Sequence, residues 1–261
     1  MDAPDGKAQL RLKGKVAIVT GSSQGIGRAC AVAMAREGAA VVINGTNPAT
    51  VKLVVDEVRA AGGQAAACAC EVGSKEAANL LVDTALGEFG GLHILMNNAA
   101  ISLNAPLWEM TEADFDSVVR VNQRGTFLNT QAAVARVMRE QKYGKILNVT
   151  SHAALRGTAR HTSYAASKMG IVGMTMVWAG ELASYKINVN CIAPAARTRM
   201  LEAVPPDRRE TLYRHFARTN VLQRVPEPED CAPTAVFLAS DESQYLTGQV
   251  LLLNGEPSYM M

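Results

Sequence analysis

A tyrosine and a lysine stand one helical turn apart in the segment Ser163-Tyr164-Ala165-Ala166-Ser167-Lys168. Positions i and i+4 share a face of a helix, so the phenol of Tyr164 and the ammonium group of Lys168 can point at one target. A nearby cation stabilises a phenolate and lowers a pKa that is about 10 when unperturbed. The pair could therefore exchange a proton with a substrate near neutral pH. Alone the motif is weak, because most pairs of this kind lie on solvated helix faces.

A glycine-rich turn follows the first predicted strand. Val16 to Thr20 is a short, mostly apolar run, typical of a strand buried on both faces. The turn Gly21-Ser22-Ser23-Gln24-Gly25-Ile26-Gly27 then leads into a helix. Glycines let the backbone approach phosphates closely, and the start of a helix offers unpaired N–H groups. The turn therefore predicts a site for a dinucleotide pyrophosphate. An ordinary glycine-rich connection is the alternative, which the position after the first strand disfavours.

The end of the second predicted strand bears on the choice of dinucleotide. It reads Asn44-Gly45-Thr46-Asn47, without the carboxylate that usually binds the adenosine ribose. A missing carboxylate removes a repulsion toward a 2′-phosphate and so permits NADP. Neither Gln24 nor Thr46 supplies a positive charge for that phosphate, and Arg28 is poorly placed to do so. The sequence thus favours NADP over NAD only slightly.

Strands and helices alternate along the chain. Strands are predicted at 16–20, 41–43, 64–70, 94–96, 145–150, 187–192 and 249–253, and helices at 28–36, 51–61, 75–89, 112–139, 163–182, 201–218 and 231–239. This pattern predicts an α/β class, a Rossmann fold with a doubly wound, seven-stranded parallel sheet and helices on both faces. We expect a flexible tail at residues 1–12 and a single domain at 13–261, because no linker or repeat divides the chain.

Composition argues against several other classes of protein. A net charge of +2 over 261 residues, with no block of Lys and Arg, gives no reason to expect nucleic acid as a partner. Residues 1–15 do not resemble a signal peptide, and no apolar run approaches the roughly 20 residues of a membrane span. We therefore expect a cytoplasmic protein. Cys68 and Cys70 share one face of an alternating strand, and the five scattered cysteines are interpreted as structural thiols rather than metal ligands.

Five motifs occur in order and at fitting intervals: Thr20-Gly21…Gly25-Ile26-Gly27, Asn97-Asn98-Ala99-Ala100, Asn122, Ser151 and Tyr164…Lys168. Together they resemble the short-chain dehydrogenase/reductase family, in its short single-domain branch, from about Leu12 to Gly255. The resemblance implies an NAD(P)-dependent oxidoreductase that transfers a hydride between nicotinamide and a carbonyl or secondary alcohol substrate, for example a 3-oxoacyl or other keto compound. It also implies a homo-oligomer, a tetramer or a dimer, with the long helices at 112–139 and 163–182 in one interface.

The same resemblance implies four catalytic residues. Tyr164 would act as general acid/base, and Lys168 would hold the nicotinamide ribose and lower the Tyr164 pKa. Ser151 would bind the carbonyl oxygen, and Asn122 would hold a water that links the lysine to solvent. Serine and asparagine side chains often cap helices or bond locally instead, which is the structural alternative for both.

Cofactor contacts are implied along the carboxyl edge of the predicted sheet. They involve Gly21, Ser23, Gln24, Gly25, Ile26, Gly27, Asn44, Gly45, Thr46, Glu71, Val72, Asn98, Ala99, Ala100, Tyr164, Lys168, Pro194, Ala195 and Thr198. Three positions depart from the family pattern. Glu71 replaces the usual Asp, Ala195 replaces the usual Gly with a shorter spacing to Thr198, and Asn254-Gly255-Glu256 replaces Asp-Gly-Gly. No metal site is expected.

The segment at about 199–226 occupies the family's substrate-lid position. Arginines and one histidine on it and on nearby loops could bind an anionic substrate, such as an acyl thioester with a phosphopantetheine arm: Arg156, Arg160, Arg197, Arg208, Arg209, Arg214, His215 and Arg218. A solvated lid with balanced charge is the alternative.

A catalytically silent dinucleotide sensor or scaffold is the alternative function, although such proteins usually lose one of the four catalytic residues. An epimerase or dehydratase of this kind would need a longer C-terminal domain.

Overall fold

Short runs of apolar residues form the strands of a parallel sheet. The computed structural model describes residues 10–196, 209–211, 213–214, 218 and 220–255. Its strands are β1 (Val16–Val19), β2 (Ala40–Gly45), β3 (Gln64–Ala69), β4 (Ile94–Asn97), β5 (Gly144–Val149), β6 (Ile187–Pro194) and β7 (Val250–Leu253). They lie in the order β3-β2-β1-β4-β5-β6-β7, and every neighbouring pair is parallel.

Helices connect these strands and cover both faces of the sheet. They are α1 (Gly25–Arg36), α2 (Pro48–Ala60), α3 (Lys75–Phe89), α4 (Glu112–Val119), α5 (Gly125–Ala133), α6 (Arg139–Gln141), α7 (His152–Arg156), α8 (Thr162–Leu182) and α9 (Ala232–Ala239). Parallel strands need such crossovers, and the predicted doubly wound Rossmann fold is confirmed. Within the described ranges, no helix is both long and apolar enough to cross a membrane.

Apolar side chains on the two faces of the sheet form two separate cores. Alternate residues of a strand point to opposite faces. Ala17 and Val19 therefore join one cluster, with side chains of α1, α2 and α9, whereas Val16 and Ile18 join the other, with side chains of α3, α5 and α8. The sheet is thus buried on both sides, as its uninterrupted apolar strands predict.

The order of the strands reverses at β1, which pairs with β2 on one side and with β4 on the other. The chain leaving β1 therefore turns to one face of the sheet and the chain leaving β4 turns to the other. This divergence opens a crevice at the carboxyl edge, where ligands of such sheets bind. Residues 20–27 and 97–101 border this crevice.

The N-terminal boundary differs from the prediction. Leu12 is fully buried, and its N–H donates to the carbonyl oxygen of Glu37 at 2.9 Å. The Arg11 guanidinium group pairs with the Glu37 carboxylate at 2.8 Å. The predicted flexible tail of residues 1–12 is therefore wrong for residues 10–12, which pack on the domain. Residues 1–9 lie outside the described residues.

The helix predicted at 112–139 contains two π-helical turns, at Arg120–Arg124 and Val134–Met138. A π turn inserts one residue into the helical ladder and is frequent at functional sites. The first of them carries Asn122, which is completely buried.

Other helix and strand boundaries differ from the predicted ones by a few residues, for local reasons. Helix α2, for example, begins at Pro48 because the Asn47 side chain caps its first turn.

The imidazole of His93, beside the amino end of β4, accepts a backbone hydrogen bond. Its Nδ1 accepts the N–H of Val16 at 3.0 Å, so this nitrogen must be unprotonated. Burial, and secondarily the ammonium group of Lys15, lower the pKa of His93 below its usual 6.5. Because the unfolded chain then binds more protons than the folded chain, stability is lost as the pH falls below 6.5.

We expect the free energy of unfolding to decrease when the pH is lowered from about 7 to about 5, in part through this histidine. Urea denaturation at a series of pH values measures the slope. His93→Gln keeps an oxygen that can accept the Val16 N–H but does not titrate, so its slope should be smaller than that of the wild type. Identical slopes for the two proteins would contradict this account.

Candidate active site

Ser151 and Tyr164 meet beyond the carboxyl end of β5. Ser151 precedes α7 and caps it, since its Oγ accepts the Ala153 N–H at 3.2 Å. The same hydroxyl is hydrogen-bonded to the phenol of Tyr164, in the first turn of α8. The ring of His161 packs edge-on against the tyrosine, with 6.1 Å between centroids. The serine hydroxyl and the tyrosine phenol therefore lie side by side, and the expected binding of a carbonyl oxygen by Ser151 stays a prediction.

Burial determines the acidity of this phenol in the described structure. Desolvation raises the pKa of Tyr164 above its usual value of 10.0, and the hydrogen bond from Ser151 opposes the rise. The prediction that Lys168 lowers this pKa is not met in the protein alone, since Lys168 Nζ lies 5.8 Å from the ring centroid. The phenol therefore stays protonated at neutral pH and is poised to donate.

Lys168 is buried beneath the tyrosine on the same face of α8. Its side chain is 1% exposed, and its Nζ donates to the carbonyl oxygen of Val149 at 2.7 Å. Burial lowers the pKa of Lys168 to about 8, against a smaller opposing effect of Cys191. The lysine thus keeps its charge at neutral pH and loses it in mildly alkaline solution.

The side chain of Asn122 is hydrogen-bonded within the protein. Its Oδ1 accepts the Ile101 N–H at 2.8 Å. Its Nδ2 donates to the Ile101 carbonyl oxygen and to Ser167 Oγ, both at 3.0 Å. One acceptor contact and both donors of this side chain are used within the protein, and the water expected at Asn122 stays a prediction. Asn122 fastens the loop after β4 to α8.

Ser167 is a residue of this site that the sequence interpretation missed. Its Oγ accepts from Asn122 and donates to the backbone carbonyl oxygen of Tyr164 at 2.8 Å. The contact ties the π turn to the first turns of α8 and so sets the position of the tyrosine. The sequence feature that could have identified Ser167 is its position one residue before Lys168, in a run of small residues.

The turn after β1 presents backbone N–H groups at the start of α1. Gly21 and Gly25 have positive φ angles of 62° and 56°, a region that glycine occupies without strain. In the described structure no side chain caps α1 at Gln24, and its first turn carries no acidic residue. An uncapped helix N-terminus without negative charge fits an anion such as a pyrophosphate.

A clamp between Thr20 and Asn98 fixes this turn against the loop after β4. Thr20 Oγ1 accepts the N–H groups of Asn98 and Ala99 at 3.0 and 3.1 Å. In return, Asn98 Nδ2 donates to the carbonyl oxygens of Thr20 and Gly21 at 2.9 and 3.1 Å. The amide of Asn98 thus supports the backbone of the predicted cofactor turn. Thr20 is a second residue to which the sequence interpretation assigned no role.

Asn44 also supports the turn from within the protein. It is 1% exposed, and its Oδ1 accepts the Gly21 N–H at 3.1 Å. Its Nδ2 donates to the carbonyl oxygens of Cys68 and Cys70 at 3.0 and 3.1 Å. The amide is therefore directed inward, and the cofactor contact at Asn44 stays a prediction. Thr46, two residues later and just after the end of β2, is exposed.

Two charged residues near the predicted adenosine end are paired within the protein. Arg28 and Glu57 form a double hydrogen bond at 2.8 and 2.6 Å, which joins α1 to α2. The carboxylate of Glu71 accepts from Arg120 at 2.9 Å. Arg28 is therefore not free to bind a 2′-phosphate without giving up Glu57. Val72, beside Glu71, is buried against Gly125.

The segment after β6 is described only at its beginning. Pro194 ends β6, and the N–H of Ala195 donates to the Leu253 carbonyl oxygen at 2.9 Å. Thr198, Arg197 and most of the predicted lid lie outside the described residues. In the described part of the lid, Arg214 lies 3.8 Å from Glu210, a pairing that agrees with the charge-balanced alternative. Within the described residues, no group of three His, Cys, Asp or Glu could hold a metal ion.

Comparison with known proteins agrees with this geometry. A sequence model for a family described as enoyl-(acyl carrier protein) reductase matches residues 21–255. The 3-oxoacyl-(acyl-carrier-protein) reductase FabG of Thermotoga maritima is 38% identical over 247 residues, which cover 94% of this chain and 98% of that protein. The chain belongs to the short-chain dehydrogenase/reductase family.

Two further short-chain dehydrogenase/reductase relatives span nearly the whole chain. BbsD, a subunit of (2S)-[(R)-hydroxy(phenyl)methyl]succinyl-CoA dehydrogenase from Thauera aromatica, is 38% identical and covers 94% of this chain and 97% of its own. The crystal structure of a candidate gluconate dehydrogenase from Agrobacterium tumefaciens is 34% identical, with a TM-score of 0.88 over 95% of this chain and 98% of that one. The protein is therefore an oxidoreductase that uses a nicotinamide cofactor and interconverts carbonyl and hydroxyl groups.

Gly27 is the position of the dinucleotide turn where this short-chain dehydrogenase/reductase tolerates a side chain least. A Cβ atom there would lie 2.4 Å from the Gly21 carbonyl oxygen and 2.5 Å from Asn98 Nδ2. Gly27→Ala is expected to displace the clamp and weaken cofactor binding by about tenfold or more. Fluorescence titration with NADPH measures the affinity. Gly87→Ala in α3, where a Cβ meets nothing within 4 Å, is the matched control, and equal affinities in the two variants would contradict the prediction.

Proposed function

We propose that this protein reduces the keto group of a 3-oxoacyl thioester, with NADPH as the preferred hydride donor. The observation that carries the proposal is the protonated, half-buried phenol of Tyr164 hydrogen-bonded to the hydroxyl of Ser151. A phenol that is protonated at neutral pH can give its proton to a carbonyl oxygen as it becomes an alcohol, most readily when a nearby cation lowers its pKa. Relatives named for acyl-carrier-protein and coenzyme A thioesters support the substrate class.

The reaction divides into a hydride transfer and a proton transfer. When bound, the nicotinamide cofactor supplies the hydride, which adds two electrons to the carbonyl carbon. The Ser151 hydroxyl donates a hydrogen bond to the carbonyl oxygen and stabilises the negative charge that develops there. The Tyr164 O–H then transfers its proton to that oxygen, so that the C=O bond becomes CH–OH.

Lys168 and Asn122 act around this proton donor. The buried ammonium group of Lys168, held by the Val149 carbonyl, stabilises the phenolate left on Tyr164 after proton transfer. Asn122 is a positioning residue, because its contacts join the loop after β4 to α8 through Ser167. A catalytic serine, tyrosine and lysine with a positioning asparagine is thus the arrangement that we propose.

An apolar loop beside the site suits the acyl part of the proposed substrate. Leu107 and Trp108 are 72% and 84% exposed. Their loop is tied to the active-site side by a hydrogen bond from the Ala105 N–H to the Arg160 carbonyl oxygen at 3.1 Å. Exposed Arg156 and Arg160 lie on the segment between Ser151 and Tyr164. The arginines would meet a phosphate of the thioester arm while the acyl chain covers the apolar loop.

The substrate class is tested with a pair of keto compounds. Acetoacetyl-CoA and ethyl acetoacetate share the reacting group, but only the first carries phosphates. We expect NADPH oxidation with both and a lower KM for the thioester, and Arg160→Ala should raise KM for the thioester alone. Equal KM values in the wild type would argue against an anion-binding substrate site. Absence of turnover with any ketone or alcohol would favour the dinucleotide sensor instead.

The preference for NADP rests on the end of β2, where no carboxylate repels a 2′-phosphate. Arg28 is paired with Glu57. We therefore expect NADP to bind only a few-fold more tightly than NAD, whereas a cation dedicated to the 2′-phosphate would give a larger difference in affinity. Isothermal titration with NADP⁺ and NAD⁺ compares the two affinities directly. Tighter binding of NAD⁺ would overturn the preference.

A homo-oligomer is proposed through the faces of α5 and α8. Phe127 on α5 and Met169 and Met176 on α8 are large apolar residues that are 39% to 57% exposed. A shallow groove between these helices is lined in part by Phe127 and Trp178. Two copies that pair through this face would cover it. Sedimentation analysis should show a dimer or tetramer, and Met176→Glu should shift it toward the monomer.

A further inference from the structure

We propose that Cys68 and Cys70 are a redox-responsive pair: a hydroperoxide converts them into a disulfide, and the disulfide weakens dinucleotide binding at the turn after β1. The consequence for binding rests on the proposed cofactor site, whereas formation of the disulfide does not. The two cysteines lie where β3 ends, at the carboxyl edge of the sheet.

The two sulfur atoms of the pair lie close together. The two Sγ atoms are 3.8 Å apart, and a disulfide needs about 2.05 Å. Cys68 is buried within β3, but the pairing of β3 with β2 ends at Ala69. Cys70 is therefore outside the strand ladder and only partly buried. It can approach Cys68 without breaking a hydrogen bond between strands.

The hydrogen-bonded pair of thiols loses its first proton more readily than a separate thiol would. The hydrogen bond between them, together with a smaller contribution from the Thr84 hydroxyl, lowers the pKa of Cys68 to about 7. The same hydrogen bond raises the pKa of Cys70, so near neutral pH the negative charge of the pair lies mainly on the Cys68 sulfur. Burial instead raises the pKa values of the other three cysteines, Cys30, Cys191 and Cys231. Oxidation should therefore select the C-x-C pair.

The oxidation is a two-electron reaction with a hydroperoxide, ROOH. The Cys68 sulfur, as thiolate, attacks the terminal oxygen. An S–O bond forms, the O–O bond breaks, and ROH leaves with one proton. The sulfur of the partly exposed Cys70 then attacks the Cys68 sulfenic acid, forming the S–S bond and releasing water. Two thiols are oxidised and one peroxide is reduced, and a dithiol reductant reverses the change.

Asn44 connects this pair to the dinucleotide turn. Its Nδ2 donates to the carbonyl oxygens of both cysteines and lies 3.4 Å from Cys70 Sγ. Its Oδ1 accepts the N–H of Gly21 at 3.1 Å. When Cys70 moves toward Cys68, the carbonyl group that holds the amide must turn. The amide then loses its position, and the backbone of Gly21 loses its support.

The test treats the full-length protein with hydrogen peroxide and follows two quantities. Mass spectrometry of the tryptic peptide 60–75, which contains both cysteines, should show the loss of two hydrogen atoms, restored by dithiothreitol. Titration of the same sample with NADPH should show an affinity reduced by about tenfold, as expected for the loss of one well-formed hydrogen bond. Cys70→Ser should abolish both changes, and Cys231→Ser should retain both.

Three results would overturn the proposal in different ways. Persistence of both thiols under peroxide, or a sulfinic acid at Cys68 without the disulfide, removes the redox pair. A disulfide that leaves NADPH affinity unchanged removes the coupling through Asn44. A disulfide formed in a protein that binds no dinucleotide in either state leaves the pair intact and removes both the coupling and the proposed cofactor site.

Discussion

Replacing Tyr164 with Phe is expected to lower kcat/KM for a keto substrate by about 10³-fold, because the variant lacks the only proton that the proposed mechanism gives to the substrate oxygen. The ring remains, so its packing against His161 is retained. NADPH affinity should fall by about tenfold at most, since the phenol oxygen makes only one of the proposed contacts with the dinucleotide. Steady-state absorbance assays and a fluorescence titration measure the two quantities.

Tyr143→Phe provides a matched control for this variant. Tyr143 also has a pKa raised by burial, and its hydroxyl donates to Asp241 at 2.7 Å. That contact lies near the amino end of β5, away from Ser151. The control should keep its activity. Full turnover by Tyr164→Phe would sink the proposed mechanism, whereas equal losses in both variants would indicate a structural effect.

The second large effect is expected from Lys168→Met. The substitution keeps an apolar stem but removes the charge, so kcat/KM should fall by about 10²-fold or more. It also leaves the Val149 carbonyl without its buried donor, which costs about 1–3 kcal/mol of stability. Assays at a pH where the wild-type lysine is charged, together with urea denaturation, separate the two consequences.

Lys145→Met separates charge at the site from the general cost of a buried lysine. Lys145 is 2% exposed, its pKa is lowered by burial, and its Nζ donates to Asn188 at 2.8 Å, at the far end of β5. We expect a comparable loss of stability with activity retained.

Wild-type activity should also decline as the pH rises through the Lys168 pKa of about 8, because the cation is then lost. An activity that rises steadily above that pH would contradict this role.

Periodicity and turn residues were sufficient to predict the sheet and its class. A period of two also placed Cys68 and Cys70 on one face correctly, as their sulfur contact shows. The approximate position of the site followed from the same pattern, because strand ends in a parallel sheet gather at one edge. These features depend on local sequence and on rules of chain connection.

The direction of individual polar side chains could not be predicted in the same way. Asn44 and Asn122 stand at positions that border the crevice, yet both amides turn inward to bond other loops. Which partners they meet depends on contacts distant in sequence, and in the case of Asn122 on a π turn that has no clear sequence signal. Burial of Leu12 and of the Tyr164 phenol depends in the same way on the assembled fold.

The supports of the dinucleotide turn have a kinetic consequence. Asn44 and Asn98 already hold its backbone from two neighbouring segments, and Thr20 ties it to the loop after β4. The loop is therefore ordered when the chain folds and not when the ligand arrives. A rigid receptor has little conformational entropy left to lose. The association rate constant of the cofactor should then approach that of docking to a rigid site. Substitutions that weaken these hydrogen bonds should first lower that rate constant.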